Sequence, residues 1–233
     1  MNVELIAYTQ PIDQYGDKNP ISIVEHAASI CYNSEPTDTY KIAKGCKLTG
    51  HLSVLEHISF TFHISEVSRA LLTQLTRHRH CSYSVRSQRY VSEDNFEYAN
   101  PFNDGTEESV FFEDTMKSLA EDYSTLKKVF KVENEDARSV LPNACYTELY
   151  FTANARALIE ASHLRLCTRA QKEIRDMFGL MKQEVNKVAP EIAEWMVPSC
   201  EINPKYPFCP EGKRCCGRHK NLSEVYKSDE EEV

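Results

Sequence analysis

Between Ile58 and His78 the spacing of apolar residues changes period, and that change limits the local architecture more than any other feature of the chain. Over Ile58-Ser59-Phe60-Thr61-Phe62-His63-Ile64 apolar and polar residues alternate, the two-residue period of a strand with one buried face. From Glu66 the pattern shifts, and Val67, Ala70, Leu71, Gln74, Leu75 and His78 recur at steps of three and four. That spacing predicts a helix with Gln74 and His78 on one face. Arg77-His78-Arg79 then falls at the helix C-terminus, with a loop beyond it. Cations at such a terminus gain roughly 0.3 to 1 kcal/mol from the macrodipole, which is the plainest explanation of basic residues there.

The macrodipole does not explain the whole cluster. From Val67 to Ser92 there are five arginines, Arg69, Arg77, Arg79, Arg86 and Arg89, and no Asp or Glu. The chain as a whole carries 35 acidic residues and a net charge of −8. Guanidinium groups crowded without carboxylates repel one another unless an anion joins them, and phosphate is the guest that fits. Glycine is scarce at seven residues, and neither G-x-G-x-x-G nor G-x-x-x-x-G-K-[ST] occurs. If nucleotides bind, side chains must hold their phosphates. The acidic net charge argues against a general nucleic-acid coat protein, which needs Lys and Arg spread over a surface.

A chain of 233 residues, 41% hydrophobic, can bury a sizeable core in one domain. No apolar run is long enough to span a bilayer, and Met1-Asn2-Val3-Glu4 lacks the pattern of a signal peptide, so a cytoplasmic protein without membrane association is expected. Nine cysteines, an odd number, exclude a fully paired disulfide scaffold and point to reduced thiols.

Further along, Asn100 to Gly105 reads as a turn, and Val110, Phe111, Leu119, Tyr123, Leu126, Val129 and Phe130 predict a long amphipathic helix. Asn134 is the expected cap of a short helix that Pro142 would end, and Ala144 to Thr152 alternates as a second strand. Helical pattern returns near Asn154 and runs, with room for a break, to Val188. On a continuous helix Arg165 and Arg169 would share a face, and Arg156 and Glu160 would form an ordinary surface pair. The final residues, with Glu230-Glu231-Glu232, read as a solvated tail.

Four ordered motifs carry a resemblance. The run Arg77-His78-Arg79, seven residues, Ser87 and then Gln88-Arg89-Tyr90 resembles the signature of the flavin-dependent thymidylate synthases. His51-Leu52-Ser53-Val54-Leu55-Glu56-His57, Arg138-Ser139-Val140-Leu141-Pro142 before Tyr146-Thr147, and Asn154-Ala155-Arg156-Ala157-Leu158 leading to Leu164-Arg165 agree in order and approximate spacing. The match covers roughly residues 20 to 195.

The resemblance implies an α/β (α+β) fold with a central, mostly antiparallel sheet flanked by helices, assembled as a homotetramer with active sites at subunit interfaces. It implies reductive methylation of dUMP to dTMP, with methylene from 5,10-methylenetetrahydrofolate and reducing equivalents from NADPH passed through FAD. It sets His51, Ser53, Arg77, His78, Arg79, Asn154, Ala155, Arg156 and Glu160 against FAD, His51 near the flavin ring and Glu160 where an amide side chain often lies near adenine. It sets Gln74, Arg77, Arg86, Ser87, Gln88, Arg89, Arg138 and Arg165 against dUMP. Residues 1–198 form the synthase domain on this reading, and residues 199–233 a Cys-rich extension with an acidic tail.

The chemical problem in such a reaction is making C5 of uracil nucleophilic. No cysteine stands within the matching motifs as a plausible nucleophile, since Cys81 falls inside the seven-residue spacer. Ser87 has no base beside it in sequence, and a phosphate-binding hydroxyl suits it better. Arg165 is the expected catalytic residue: a guanidinium beside the N3 and carbonyl edge of uracil favours the ionised imide and pushes electron density toward C5. Three positions depart from the family pattern. Ser84 and Val85 stand where many relatives carry Asn-Glu, and Arg169 where some carry histidine. His57 and His63 are read as structural.

Cys200, Cys209, Cys215, Cys216 and His219 lie beyond the resemblance, spaced C-x8-C-x5-C-C-x2-H. They offer enough soft ligands for tetrahedral zinc but lack paired C-x2-C knuckles, so free thiols or an adventitious disulfide remain open and no metal is assigned. The alternative function is a nucleic-acid-binding module built on the arginine cluster, which leaves Asn154-Ala155-Arg156 and Arg165 without a role.

Overall fold

Alternation becomes strand where it was expected, and the buried partners explain why. The computed structural model describes residues 1–12 and 18–225, so the tail around Glu230 lies outside the described residues. In chain order the elements are β1 (Asn2–Tyr8), α1 (Ile21–Tyr32), α2 (Lys41–Thr49), a 3-10 helix (Leu52–His57), β2 (Ser59–Ser68), α3 (Arg69–Leu75) and β3 (Cys81–Val85). They continue with α4 (Glu107–Lys128), α5 (Asn134–Ala137), a 3-10 turn (Arg138–Val140), β4 (Tyr146–Asn154), α6 (Ala155–Arg165), α7 (Lys172–Asn186) and α8 (Pro190–Trp195).

The four strands form one sheet in the order β1-β2-β4-β3. Its direction follows from cross-strand pairs. Thr61 Oγ1 meets Thr152 Oγ1 at 2.9 Å, and His63 stacks on Tyr150 with ring centroids 5.2 Å apart. A step of two up β2 is a step of two down β4, which is antiparallel register. Thr9 N–H donates to Ser59 O at 3.0 Å near one end of the β1/β2 pair, and the Met1 amine meets Glu66 Oε2 at 2.9 Å at the other, again antiparallel. On the β3 side Tyr83 packs on Phe151 and Arg86 N–H donates to Glu148 O at 2.9 Å, the same sense once more. Phe60, Phe62 and Ile64 of β2 and Leu149, Phe151 and Ala153 of β4 are buried on alternating positions. Each large side chain so buried contributes about 1.5 to 3 kcal/mol.

The described chain divides into two compact units, with β2 and β4 running through both. The first comprises residues 1–2, 63–77 and 82–151. It holds α3, α4 and α5, and a small core in which Phe96, Met116 and Cys145 pack with Tyr98, Phe112 and Leu119. The second comprises residues 3–62, 78–81 and 152–233. There α7 buries Ile174, Met177, Phe178, Met181 and Val185, an i, i+3, i+4, i+7, i+11 stripe, and α1 buries Ile21, Val24 and Ala28.

Several local expectations need correction. α3 ends at Leu75, so His78 does not share a helical face with Gln74. The cause is a cap from outside the helix: Tyr83 Oη donates to Leu75 O at 2.9 Å and satisfies one of the last-turn carbonyls. The segment beyond is not only loop, because Cys81–Val85 is the edge strand β3. Glu133, not Asn134, occupies the N-cap of α5, and the Asn134 side-chain oxygen is buried without a hydrogen bond. α6 stops at Arg165 and α7 begins at Lys172, so Arg165 and Arg169 are not on one helical face. The strand expected over residues 144–152 runs over Tyr146–Asn154. α4 runs over Glu107–Lys128, with Ser109, Met116 and Tyr123 buried and Phe112 and Leu119 packed on the small core, while Phe111 is 76% exposed and Val129 and Phe130, each 68% exposed, fall beyond its end.

Candidate active site

Two strand-to-helix junctions position the candidate residues, and each is fixed by its own cap. At the β2–α3 junction Ser68 Oγ accepts from Leu71 N–H at 3.0 Å. At the β4–α6 junction Asn154 Oδ1 accepts from Ala157 N–H at 2.8 Å. Such caps contribute about 1 kcal/mol each and set the angle at which the chain leaves the sheet. The cap also uses the Asn154 carbonyl oxygen and leaves its NH2 as the donor for a ligand.

In the first unit lie Gln74, Arg77, Arg86, Ser87, Gln88, Arg89 and Arg138, which is the whole set expected at dUMP apart from Arg165. Gln74 is half-buried on α3, and Arg77 is exposed in the turn after it. Arg86 reaches buried Glu93 at 3.3 Å, and Arg89 meets Glu135 Oε2 through both Nη2 at 2.9 Å and Nε at 3.2 Å. The carboxylate-free window in sequence is therefore partly filled in space, by Glu93 and Glu135 from outside it. Arg138 Nε donates to Glu135 O at 3.1 Å. Ser87 Oγ accepts from Arg89 N–H at 3.2 Å, and Gln88 Nε2 sits 3.8 Å from Cys145 Sγ. Burial pushes the Cys145 thiol up to about 11, assisted by the charge of Glu93, so it stays protonated and is no nucleophile.

In the second unit lie His51, Ser53, His78, Arg79, Asn154, Ala155, Arg156, Glu160 and Arg165, which is the set expected at FAD apart from Arg77, together with Arg165. Arg165 Nε donates to His78 Nε2 at 2.8 Å. An accepting Nε2 requires the tautomer with hydrogen on Nδ1. Burial lowers the His78 pKa, and the adjacent Arg165 charge lowers it further, so the imidazole is neutral. His78 also packs at 6.2 Å from Phe178, which ties the pair to the α7 core. Tyr32 Oη is 2.9 Å from His51 Nδ1, and His51 and Ser53 are exposed at the start of the 3-10 helix. Ala155 is fully buried and its N–H donates to Ile58 O at 2.8 Å, so its part is to hold the junction.

Arg156 is held more firmly than an ordinary surface pair would hold it. Its Nη1 reaches Glu56 at 2.8 Å and its Nε reaches Glu160 at 2.9 Å. Donating hydrogen bonds to the Glu160 and Glu56 carboxylates raises its pKa. Glu160 thus acts on Arg156, and Glu56 is a member of the group that sequence reasoning quoted but did not use. Tyr32 and Tyr83 were also missed. Only their partners in space, His51 and the end of α3, give them a role, and neither partner is near in sequence.

Arg77 and Arg79 are exposed, and among the described residues neither has a carboxylate partner. Donors of this kind suit an anionic group with several oxygens.

Comparisons with known proteins identify the family. The family model described as thymidylate synthase complementing protein matches residues 4–191, across both units. The flavin-dependent thymidylate synthase of Clostridium tetani is 38% identical, covering 97% of this chain and 97% of the relative. That of Geobacter sulfurreducens is 39% identical over 90% of this chain and 94% of its own. A solved flavin-dependent thymidylate synthase of Helicobacter pylori, complexed with FAD and dUMP, superposes with a TM-score of 0.68 over 84% of this chain and all of that one, at 24% identity, and so supports the fold. With the family model spanning most of the chain and relatives matching it almost end to end, the protein belongs to the flavin-dependent thymidylate synthase family.

Proposed function

We propose that the protein converts dUMP to dTMP, with FAD as bound cofactor, 5,10-methylenetetrahydrofolate as methylene donor and NADPH as reductant. Family membership supports the reaction class. The observation that carries the residue assignment is the state of the arginines: in a chain of net charge −8, Arg77, Arg79 and Arg138 lack a carboxylate partner among the described residues. Anionic ligands are their natural counter-charges.

The donor set fits FAD. Arg79 and Arg77 supply charge for the pyrophosphate, and the Asn154 NH2 and Ser53 hydroxyl supply neutral hydrogen bonds. Arg156, neutralised by Glu56 and Glu160, acts as an oriented donor and not as a countercharge. Bound FAD supplies hydride storage between NADPH and the transferred carbon. The chain's own share is to bind, to orient and to hold charge. Gln74, Ser87, Gln88, Arg89 and Arg138 hold the nucleotide, several of them through backbone N–H groups, and Arg86 is fixed by Glu93.

Arg165 is assigned the activation of uracil. Its Nε bond to neutral His78 orients the guanidinium plane, and the imidazole itself carries no countercharge. A full positive charge beside the pyrimidine O–C–N edge stabilises negative charge there and raises electron density at C5. The sheet-bearing chain exposes Ile30 (81%), Leu48 (83%), Tyr90 (78%) and Phe111 (76%), apolar surface of the kind that subunit contacts cover, which supports a homotetramer with shared active sites. No helix among the described residues is long and apolar enough to cross a membrane.

The test is dTMP formation by purified protein supplied with dUMP, methylenetetrahydrofolate, NADPH and FAD, each omitted in turn. Loss of product on omitting any one supports the reading. Product formation undiminished in flavin-stripped protein without added FAD would refute it.

A further inference from the structure

Every residue assigned above to nucleotide or flavin lies at or before Arg165, and the family match ends at residue 191. The segment from 199 to 225 nevertheless holds Cys200, Cys209, Cys215, Cys216 and His219. Its regular structure is slight: two three-residue 3-10 turns, Ser199–Glu201 and Gly212–Arg214, and an isolated parallel bridge between Cys209 and Asn221. Cys209, 5% exposed, is the one buried residue in that range. Hydrophobic burial cannot order a segment of this length with a single buried thiol, and segments that lack a core are ordered by a disulfide or a metal. None of the described cysteines is in a disulfide.

We propose that Cys200, Cys209, Cys215 and His219 form a tetrahedral zinc centre of Cys3His type. The ligand atoms of Cys200 and His219 lie, with that of Glu201, within 4.8 Å of one another. The sulfurs of Cys209 and Cys215 are in hydrogen-bond contact, and Cys200 is near enough to Cys209 for their charges to interact. Zinc bonds of about 2.3 Å to sulfur and 2.0 to 2.1 Å to nitrogen put tetrahedral ligand atoms roughly 3.5 to 3.8 Å apart, so Cys209 and Cys215, which lie outside the 4.8 Å group, would swing as a contacting pair toward Cys200 and His219 when the metal binds.

Gly217 N–H donates to Cys215 Sγ at 3.3 Å, a bond that would stabilise negative sulfur, and the protonated thiol donates to His219 O at 3.1 Å, a contact that a metal bond would replace. Cys209 N–H donates to Lys220 O at 2.8 Å, drawing the buried thiol alongside His219. Glu201 Oε1, 3.3 Å from His219 Nε2, holds one ring nitrogen and leaves the other for the metal, the carboxylate–histidine arrangement found around bound zinc. Cys216 is the wrong neighbour, because its sulfur is exposed and meets the Thr168 side chain instead. Three thiols release their protons to solvent on binding, and the resulting single net negative charge lies near Arg218, itself 3.4 Å from Glu201. The same segment is fastened to α6 by Ser199 Oγ, which donates to His163 O at 2.9 Å. The metal would therefore order the extension against the helix that ends in Arg165.

The experiment is metal analysis of the full chain, purified without a His tag and with its thiols reduced, followed by exchange into cobalt(II). About one zinc per chain is expected, with a cobalt spectrum showing tetrahedral d–d bands and thiolate charge transfer. Cys209→Ser and Cys215→Ser should fall below about 0.2 equivalents while Cys216→Ser keeps its zinc. Should the ligand variants fail to fold, the cobalt spectrum of the unaltered chain decides, through the thiolate count in its charge-transfer intensity. Less than about a tenth of an equivalent of zinc, with no tetrahedral cobalt spectrum after reconstitution, would overturn the centre. Loss of metal from Cys216→Ser with retention in Cys215→Ser would overturn the ligand set. None of these outcomes depends on flavin binding.

Discussion

Arg165 and His78 show how much a single hydrogen bond can decide. The neutral imidazole, 2.8 Å from Arg165 Nε, orients the guanidinium without itself bringing a negative charge to it. Arg165→Ala is accordingly expected to keep its yellow flavin and lose dTMP formation by about 10²- to 10³-fold, the usual cost of removing one charge-stabilising donor. Turnover near that of the unaltered protein, measured at saturating dUMP, would remove Arg165 from the chemistry.

The same burial makes stability depend on pH. His78 is lowered by burial and the Arg165 charge, and His163 by burial against a hydrogen bond to Val197 O that opposes the shift. A histidine buried neutral takes up protons more readily when unfolded, so stability is highest above the unfolded pKa of about 6.5 and falls as pH drops through it toward the folded value. The melting temperature should fall from pH 7.5 to pH 5.5, and His163→Asn should flatten that slope. A variant with the unaltered slope would show that His163 titrates alike in both states.

At the scale of elements, the junctions carry the account. Asn154 is at once the cap of α6 and a proposed flavin donor, so Asn154→Ala should lose about 1 kcal/mol of stability as well as flavin affinity. Asn154→Asp keeps the capping oxygen and removes the NH2. It should melt close to the unaltered protein yet bind FAD more weakly, and equal losses of stability in both variants would reduce Asn154 to a cap alone. These junctions were legible in sequence because alternation over Ser59–Ser68 and Tyr146–Asn154 ends at a capping Ser or Asn before a helical period begins. The stop of α3 was not legible. It depends on Tyr83 donating to Leu75 O, a contact eight residues long that exists only once β3 has paired with β4. A break between Asn154 and Val188 was foreseen but its place after Arg165 was not, since the three- and four-residue spacing of apolar residues carries across the gap between α6 and α7. β3 was missed although Cys81-Ser82-Tyr83-Ser84-Val85 alternates, because a five-residue edge strand with only half-buried positions gives a short, weak signal between the arginines on either side.

For the whole molecule, the family, the mixed antiparallel fold and the order of the motifs could be read from residues alone. The pairing of charges could not. Glu93 and Glu135 reach Arg86 and Arg89 from outside the carboxylate-free window, and Glu56 reaches Arg156 across 100 positions of sequence. Within that window Arg69, Arg77 and Arg79 have no carboxylate partner among the described residues, and Arg138 donates to Glu135 O. On the proposed function the exposed Arg77 and Arg79 are the two that meet an anionic ligand. A protein organised this way should melt higher with FAD and dUMP present than with either alone, because each ligand binds only the folded state.

The most direct test of the central claim is a crystal structure of the protein grown with FAD and dUMP. The account predicts both compounds bound at full occupancy, with phosphate oxygens within hydrogen-bond distance of Arg77, Arg79 and Arg138 and the uracil edge facing Arg165. Ordered protein with neither compound near these four side chains would contradict it.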